Sequence, residues 1–85
     1  MRKVTKDKVI EIINLSFNDR AKITAEQNNE NLQELGMDSI TFIRIAVAIE
    51  EEFECEIPDE KLLITEMDTV QKILDVLQSI YDNQG

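Results

Sequence analysis

Ser39 stands in Glu34-Leu35-Gly36-Met37-Asp38-Ser39-Ile40, where a polar stretch gives way to a strongly apolar one. Asp38 suits a helix N-cap, because its carboxylate can accept hydrogen bonds from the N–H groups of the first turn. Gly36 can adopt backbone angles that other residues avoid, which suits a sharp turn into the helix. Ser39 then falls at the first helical position, exposed, beside unpaired N–H donors and the positive end of the helix dipole. That is a favourable place for a phosphate. A modifying enzyme could reach the hydroxyl, and a phosphodiester formed on it would sit in a stabilising field. The plain alternative is a serine that only caps or faces solvent, as serines at helix starts usually do.

Other chemistries lack their parts. With no histidine in the chain, neither a Ser-His-Asp nor a Cys-His arrangement can be built. There is no glycine-rich phosphate loop and no cysteine–histidine metal set. Glu50, Glu51, Glu52, Glu54, Glu56, Asp59 and Glu60 form an acidic cluster. It has neither the alternating oxygens nor the central glycine of a calcium loop, and no aromatic wall to raise one carboxyl for acid catalysis. It reads as a solvated face that also steers partners. Inside it, neighbouring negative charge should raise the pKa of Cys55, leaving a small packing residue. An enzyme in its own right is not expected. Ser39 makes sense as a passive attachment point whose deprotonation is handled by another protein.

The elements that would position Ser39 follow from periodicity. Thr5 can cap a first helix to about Leu15 or Ser16, with Val9, Ile10, Ile13 and Phe17 at helical spacing and Ile12 broadening the stripe. Residues 18–37 are polar, with Ile23, Leu32 and Leu35 scattered through them, and Thr24-Ala25-Glu26-Gln27 fits a capping box that can start a short turn. Residues 39–53 form a second helix whose core face is Phe42, Ile45, Ala46, Ile49 and Phe53. A shorter stripe, Ile40, Ile43 and Val47, lies on another side, either covered by neighbouring helices or free for docking. Pro58 biases Ile57 to an extended conformation. A short third helix is expected between Asp59 and Met67, with Leu62, Leu63, Ile64 and Met67 supplying contacts. Asp68 or Thr69 caps the last helix, Asp68 with Gln71 having capping-box spacing. Val70, Ile73, Leu74, Leu77 and Ile80 form its core face, Tyr81 closes the end, and residues 82–85 should fray.

Composition agrees with a single small all-α domain over residues 1–85. The chain has 42% hydrophobic residues, two glycines and one proline, enough apolar surface for a small core and little that breaks helices. One cysteine excludes an internal disulfide and fits a reducing compartment. Met1-Arg2-Lys3 is followed by no apolar segment, and no run is long enough to span a bilayer, so a cytoplasmic, membrane-free protein is expected. The net charge of −9 is uneven: residues 1–24 hold six basic and three acidic side chains, residues 25–85 three basic and fifteen acidic. Such a field repels nucleic acid and speeds encounter with basic protein surfaces.

Two motifs then carry a resemblance. Leu35-Gly36-Met37-Asp38-Ser39-Ile40 resembles the Leu-Gly-x-Asp-Ser-Leu/Ile attachment motif of acyl carrier proteins, and Glu52-Phe53 followed by Glu56-Ile57-Pro58-Asp59-Glu60 resembles their Glu-Phe-x-x-Glu-Ile-Pro-Asp-Glu run. The resemblance spans essentially the whole chain. It implies a four-helix bundle, three main helices plus a short third one, with a long first loop. It also implies 4′-phosphopantetheine, transferred from coenzyme A to Ser39 by a phosphopantetheinyl transferase, with acyl groups held as thioesters on its thiol. Partner docking would fall to Asp38, Ile40, Ile43, Arg44, Val47 and Glu51, facing acyl-loading and acyl-processing enzymes with basic surfaces. The protein would act as a monomer, and an acyl chain could shelter between the second and third helices.

The chain also departs from the housekeeping fatty-acid carriers it resembles. Thr41 and Arg44 stand where those proteins have acidic residues, and the Leu62–Met67 segment is longer. Both substitutions would remove negative charge from the docking face, which points to a specialised carrier serving a polyketide, peptide-synthetase-linked or other dedicated pathway. An aminoacyl or peptidyl carrier shares the attachment logic. A helical adaptor that carries nothing would explain the acidic and apolar faces but leave the Gly-x-Asp-Ser arrangement accidental.

Overall fold

A computed structural model describes residues 3–18 and 22–84, without the side chains of 83 and 84. Among these residues there are three α-helices, α1 (Lys6–Ser16), α2 (Ser39–Phe53) and α3 (Val70–Gln84), and one 3-10 turn, Ile64–Glu66. The fold is all-helical, as expected. The short third helix is not formed as such: a turn at residues 58–62 and the 3-10 turn stand in its place, separated by extended Leu63. Leu62, Leu63 and Ile64 are consecutive, and three apolar neighbours cannot share one face of a helix. The chain breaks instead, burying Met67 and part of Ile64 and leaving Leu62 and Leu63 exposed.

Helix α1 starts where extended Thr5 accepts the Lys8 N–H on its hydroxyl at 3.3 Å. Val9, Ile10, Ile12 and Ile13 are buried, Phe17 closes the end in the core, and Asn18 leaves the helix at φ +54°. The helix packs against both α2 and α3. In α3 the cap is Thr69, whose hydroxyl accepts the Lys72 N–H at 3.0 Å. The Asp68–Gln71 capping box is not made: the Gln71 N–H goes to the Asn28 carbonyl at 3.0 Å, and its side-chain amide donates to Asp75 at 3.0 Å. Val70, Ile73, Val76, Leu77 and Ile80 are buried and Leu74 half-buried. Tyr81 is exposed rather than closing the end, and the helix runs on to Gln84, past the expected fraying at Asp82; Gly85 lies outside the described residues.

The polar segment before α2 is long, yet it is tied down at several points. Asn14 of α1 clamps Ile23 both ways, accepting its N–H at 2.7 Å and donating to its carbonyl at 3.1 Å, while the Ile23 side chain is buried. The Gln27 side chain reaches back to the Thr24 N–H at 2.9 Å, half of the expected capping box, but only a turn follows. Further on, Asn28 C=O accepts the Gln71 N–H at 3.0 Å and Asp68 C=O accepts the Leu32 N–H at 2.8 Å. The Asp68 carboxylate adds a bond from Gln33 at 3.2 Å and an ion pair with Lys72 at 2.9 Å. The start of α3 therefore holds the segment that leads to Ser39. These bonds satisfy backbone groups that would otherwise be stranded against the core.

Candidate functional site

Leu32 anchors the turn before Ser39. Its side chain is fully buried, its N–H is held by Asp68, and its carbonyl accepts the N–H groups of Leu35 at 3.1 Å and Met37 at 3.0 Å. Gly36 closes this turn at φ +111°, and a Cβ there would meet nothing within 4 Å. Backbone conformation, not lack of space, is what selects glycine at this position. Met37 is buried beside it, an anchor the motif alone did not reveal as core.

Asp38 is extended (φ −98°, ψ −176°) and caps α2 through Oδ1, which accepts the Thr41 N–H at 2.8 Å. Its carbonyl accepts the Phe42 N–H at 2.9 Å. The Thr41 backbone N–H first, and the Thr41 side chain second, hold the exposed Asp38 carboxyl below its ordinary value of 3.8. The cap expected from the sequence is made, and its carboxylate already takes up part of the positive end of the helix. Asp38 supplies the first negative charge, and the Ile40 amide also favours its ionised form. A phosphodiester on Ser39 would share the remaining field of the helix with that carboxylate.

Ser39 itself is exposed as the first residue of α2. It sits at one end of an open groove of about 310 Å³ lined by Phe42, Ile43, Ala46, Val47 and Leu62, with Glu50 also on the lining. Along the same helix the second apolar stripe is uncovered: Ile40, Ile43 and Val47 keep 64%, 57% and 46% of their surface. Asp38, Arg44 and Glu51 are exposed too, so all six residues expected to dock partners lie on the solvent side of the helix. Thr41 does not: it is buried at 7%, where it locks Asp38. Of the two departures from an acidic residue, only Arg44 changes the charge of the exposed face.

The acidic cluster is not uniformly solvated. Glu50 is half-buried and accepts the Ile57 N–H at 2.9 Å, folding the turn after α2 back on the helix. Glu54 makes that turn at φ +53°, while Glu51, Glu56, Asp59 and Glu60 face solvent. Cys55 packs half-buried against the core, and its thiol is pushed up by burial first and by the Glu50 charge second; the sequence pointed to the charge alone. Among the described residues, no three His, Cys, Asp or Glu side chains stand together as a metal site, and no helix is long and apolar enough to cross a membrane.

The sequence signal that could have flagged Asn14, Glu50 and Asp68 is slight, since each acts on a backbone group far along the chain. Asn14 and Asp68 tie down the segment that leads into α2, and Glu50 fixes the turn that leaves it, so that one serine is presented at the edge of an apolar groove. The chain has no histidine to activate that serine, and the arrangement suits a site that is acted upon. A family model described as a phosphopantetheine attachment site matches residues 11–77, which include this whole arrangement, and the chain accordingly belongs to that family of non-catalytic carriers bearing covalent 4′-phosphopantetheine.

Proposed function

We propose that Ser39 bears the 4′-phosphopantetheine and that the chain is a discrete acyl carrier protein of a dedicated biosynthetic pathway. The observation that carries the reading is the position of Ser39: exposed at the first turn of α2, with an apolar groove opening beside it. The residues fit the group. The hydroxyl is accessible for phosphodiester formation, Gly36 and Asp38 fix the approach, and Ile43, Val47 and Leu62 offer apolar surface within reach of a flexible arm. When bound, the group supplies a thiol that holds acyl cargo as a thioester. The tether keeps that cargo at high effective concentration near whichever enzyme has docked.

Ile40, Ile43 and Val47 then supply apolar contact to partners, Asp38 and Glu51 negative charge, and Arg44 discrimination. The groove favours aliphatic or polyketide-like cargo over an amino acid, which supports acyl over aminoacyl carriage. Membership of a carrier family sets aside the adaptor that carries nothing. Dedication to a pathway of its own rests on Arg44, a cation on the face that basic fatty-acid synthase enzymes read. The test is to install the arm and offer the protein to a generic fatty-acid synthase beside a housekeeping carrier. Slow elongation, quickened by Arg44→Glu, is expected; equal elongation of the two carriers overturns the dedicated role.

A further inference from the structure

Residues 25–85 contain three cations among fifteen acidic side chains. The fold uses two of them. Lys61 pairs with Glu66 at 3.6 Å, and Lys72 pairs with Asp68 at 2.9 Å while donating to the Thr65 carbonyl at 2.9 Å. Arg44 makes no ion pair among the described residues and is exposed on α2. Its helical neighbours at i−4, i−3, i+3 and i+4 are Ile40, Thr41, Val47 and Ala48, none of which carries a carboxylate, and Thr41 is buried at the cap of the helix. Among the described residues the guanidinium has no carboxylate partner, in a stretch rich in carboxylates, so no ion pair accounts for its place.

Arg44 borders a groove of about 280 Å³ between the end of α1 and the middle of α2. Ile12 and Ala48 line it together with Leu15, which keeps 63% of its surface exposed on the side of α1 away from the core. Ser16 spends its hydroxyl on the Ile12 carbonyl at 2.8 Å, so the polar capacity of the groove lies at its edge, with Arg44 and Asn18. Arg44 stands five positions after Ser39, about 7.5 Å along the helix axis and about 140° around it. A protein that engages the arm on Ser39 and also wraps the exposed face of α2 would reach this groove as well.

The geometry points to the α1–α2 groove as a second recognition surface, one that takes an acidic–apolar segment of a partner enzyme: an Asp or Glu carboxylate forked onto Arg44, with an adjacent aliphatic or aromatic side chain on Leu15 and Ala48. Planar guanidinium matches carboxylate in a bidentate manner that lysine cannot reproduce. The charge is opposite to that sought by the acidic residues around Ser39. A partner whose footprint spans both sides of α2 and bears both a basic patch and this acidic segment can dock in only one register, and one that covers the groove without an acidic segment leaves Arg44 desolvated and unpaired. The inference rests on the carrier reading for the identity of the partner, but not for the chemistry of the groove.

The probe is a phage-displayed library of random twelve-residue peptides, selected on the full-length chain with its arm installed. Recovered peptides are expected to place Asp or Glu beside Leu, Ile or Phe. As synthetic peptides they should bind Arg44→Glu about tenfold more weakly than the native chain. Arg44→Lys should fall between the two, and Leu15→Gln should weaken binding independently. Both positions are exposed, and unchanged thermal melting of the variants separates lost recognition from lost folding. Peptides without acidic residues, affinities indifferent to Arg44 and Leu15, or no recovery above background would overturn the proposal. So would a concentration-dependent dimer abolished by Arg44→Glu, which would give the groove to a second copy of the chain. Attachment of the arm is read separately by mass on the native protein, so failure of the carrier reading and failure of the groove are distinguishable.

Discussion

On one side of α2, Phe42, Ile45, Ala46, Ile49 and Phe53 are closed into the core, whereas on the other Ile40, Ile43 and Val47 stand in water. The two stripes have much the same chemistry and share one backbone. The difference is what each face meets. Helix α1 packs against α2 and closes off the first stripe, whereas the chain that follows Pro58 covers little of the second, because the expected third helix gives way to turns that leave Leu62 and Leu63 exposed as well. An apolar side chain in the core lowers the free energy of folding, and one kept at the surface lowers that of association. The pair can be broken by changing each face in turn.

The largest effect is expected in the core. Ile49 is fully buried, and Ile49→Ala should cost about 2–5 kcal/mol in denaturant unfolding through lost burial and the cavity left behind. Ile43→Ala on the other face should stay within about 0.5 kcal/mol of the native chain while weakening capture by partner enzymes. Equal losses of stability at the two positions would erase the distinction between the stripes.

A second contrast sits within the acidic run. Glu50 accepts the N–H of buried Ile57, so Glu50→Ala strands a backbone donor and should cost about 1–3 kcal/mol, whereas Glu51→Ala, one residue on and exposed, should cost almost nothing. Thermal melts of the two variants at equal ionic strength check this. Adjacent glutamates would then be seen to do different work, one holding the turn and one only facing solvent.

The smallest effect belongs to Asp38 and is a matter of pH. Its carboxyl titrates below the ordinary 3.8 in the folded chain, so the ionised cap stabilises the fold fully above that pH. The contribution fades as pH falls through the lowered folded value. Asn caps equally well but does not titrate. The stability of the native chain relative to Asp38→Asn should therefore be level from neutral pH to about pH 4 and decline below it. A difference that stays constant down to pH 2 would contradict the cap geometry.

Much of this layout was legible in the residues, for local reasons. Thr5 and Asp38 are side chains whose preferred role is within three residues of themselves, and they mark the starts of α1 and α2 where the structure has them. Apolar spacing then identified which face of each helix turns inward. What escaped were interactions whose partners are distant in sequence. Asn14 clamps Ile23 nine residues away, and Asp68 holds Leu32 and Gln33 across 35 or more, with nothing in either neighbourhood to announce it. Burial of Thr41 escaped for a related reason: it was read for the charge it lacks, when the contact it makes with Asp38 decides its place. The third helix was expected from apolar content between Asp59 and Met67, but content without helical spacing gives an irregular segment. The candidate site was the most legible part, because Gly36, Asp38 and Ser39 act on their immediate neighbours.

The central claim, that Ser39 is where the prosthetic group is attached, is tested most directly by intact mass. The purified chain and Ser39→Ala would be incubated with coenzyme A, magnesium and a broad-specificity phosphopantetheinyl transferase, each starting from protein shown to lack the arm. A gain of one phosphopantetheinyl group on the native chain, absent from Ser39→Ala, is the predicted result. No gain on the folded native chain, or the same gain on the variant, would contradict it.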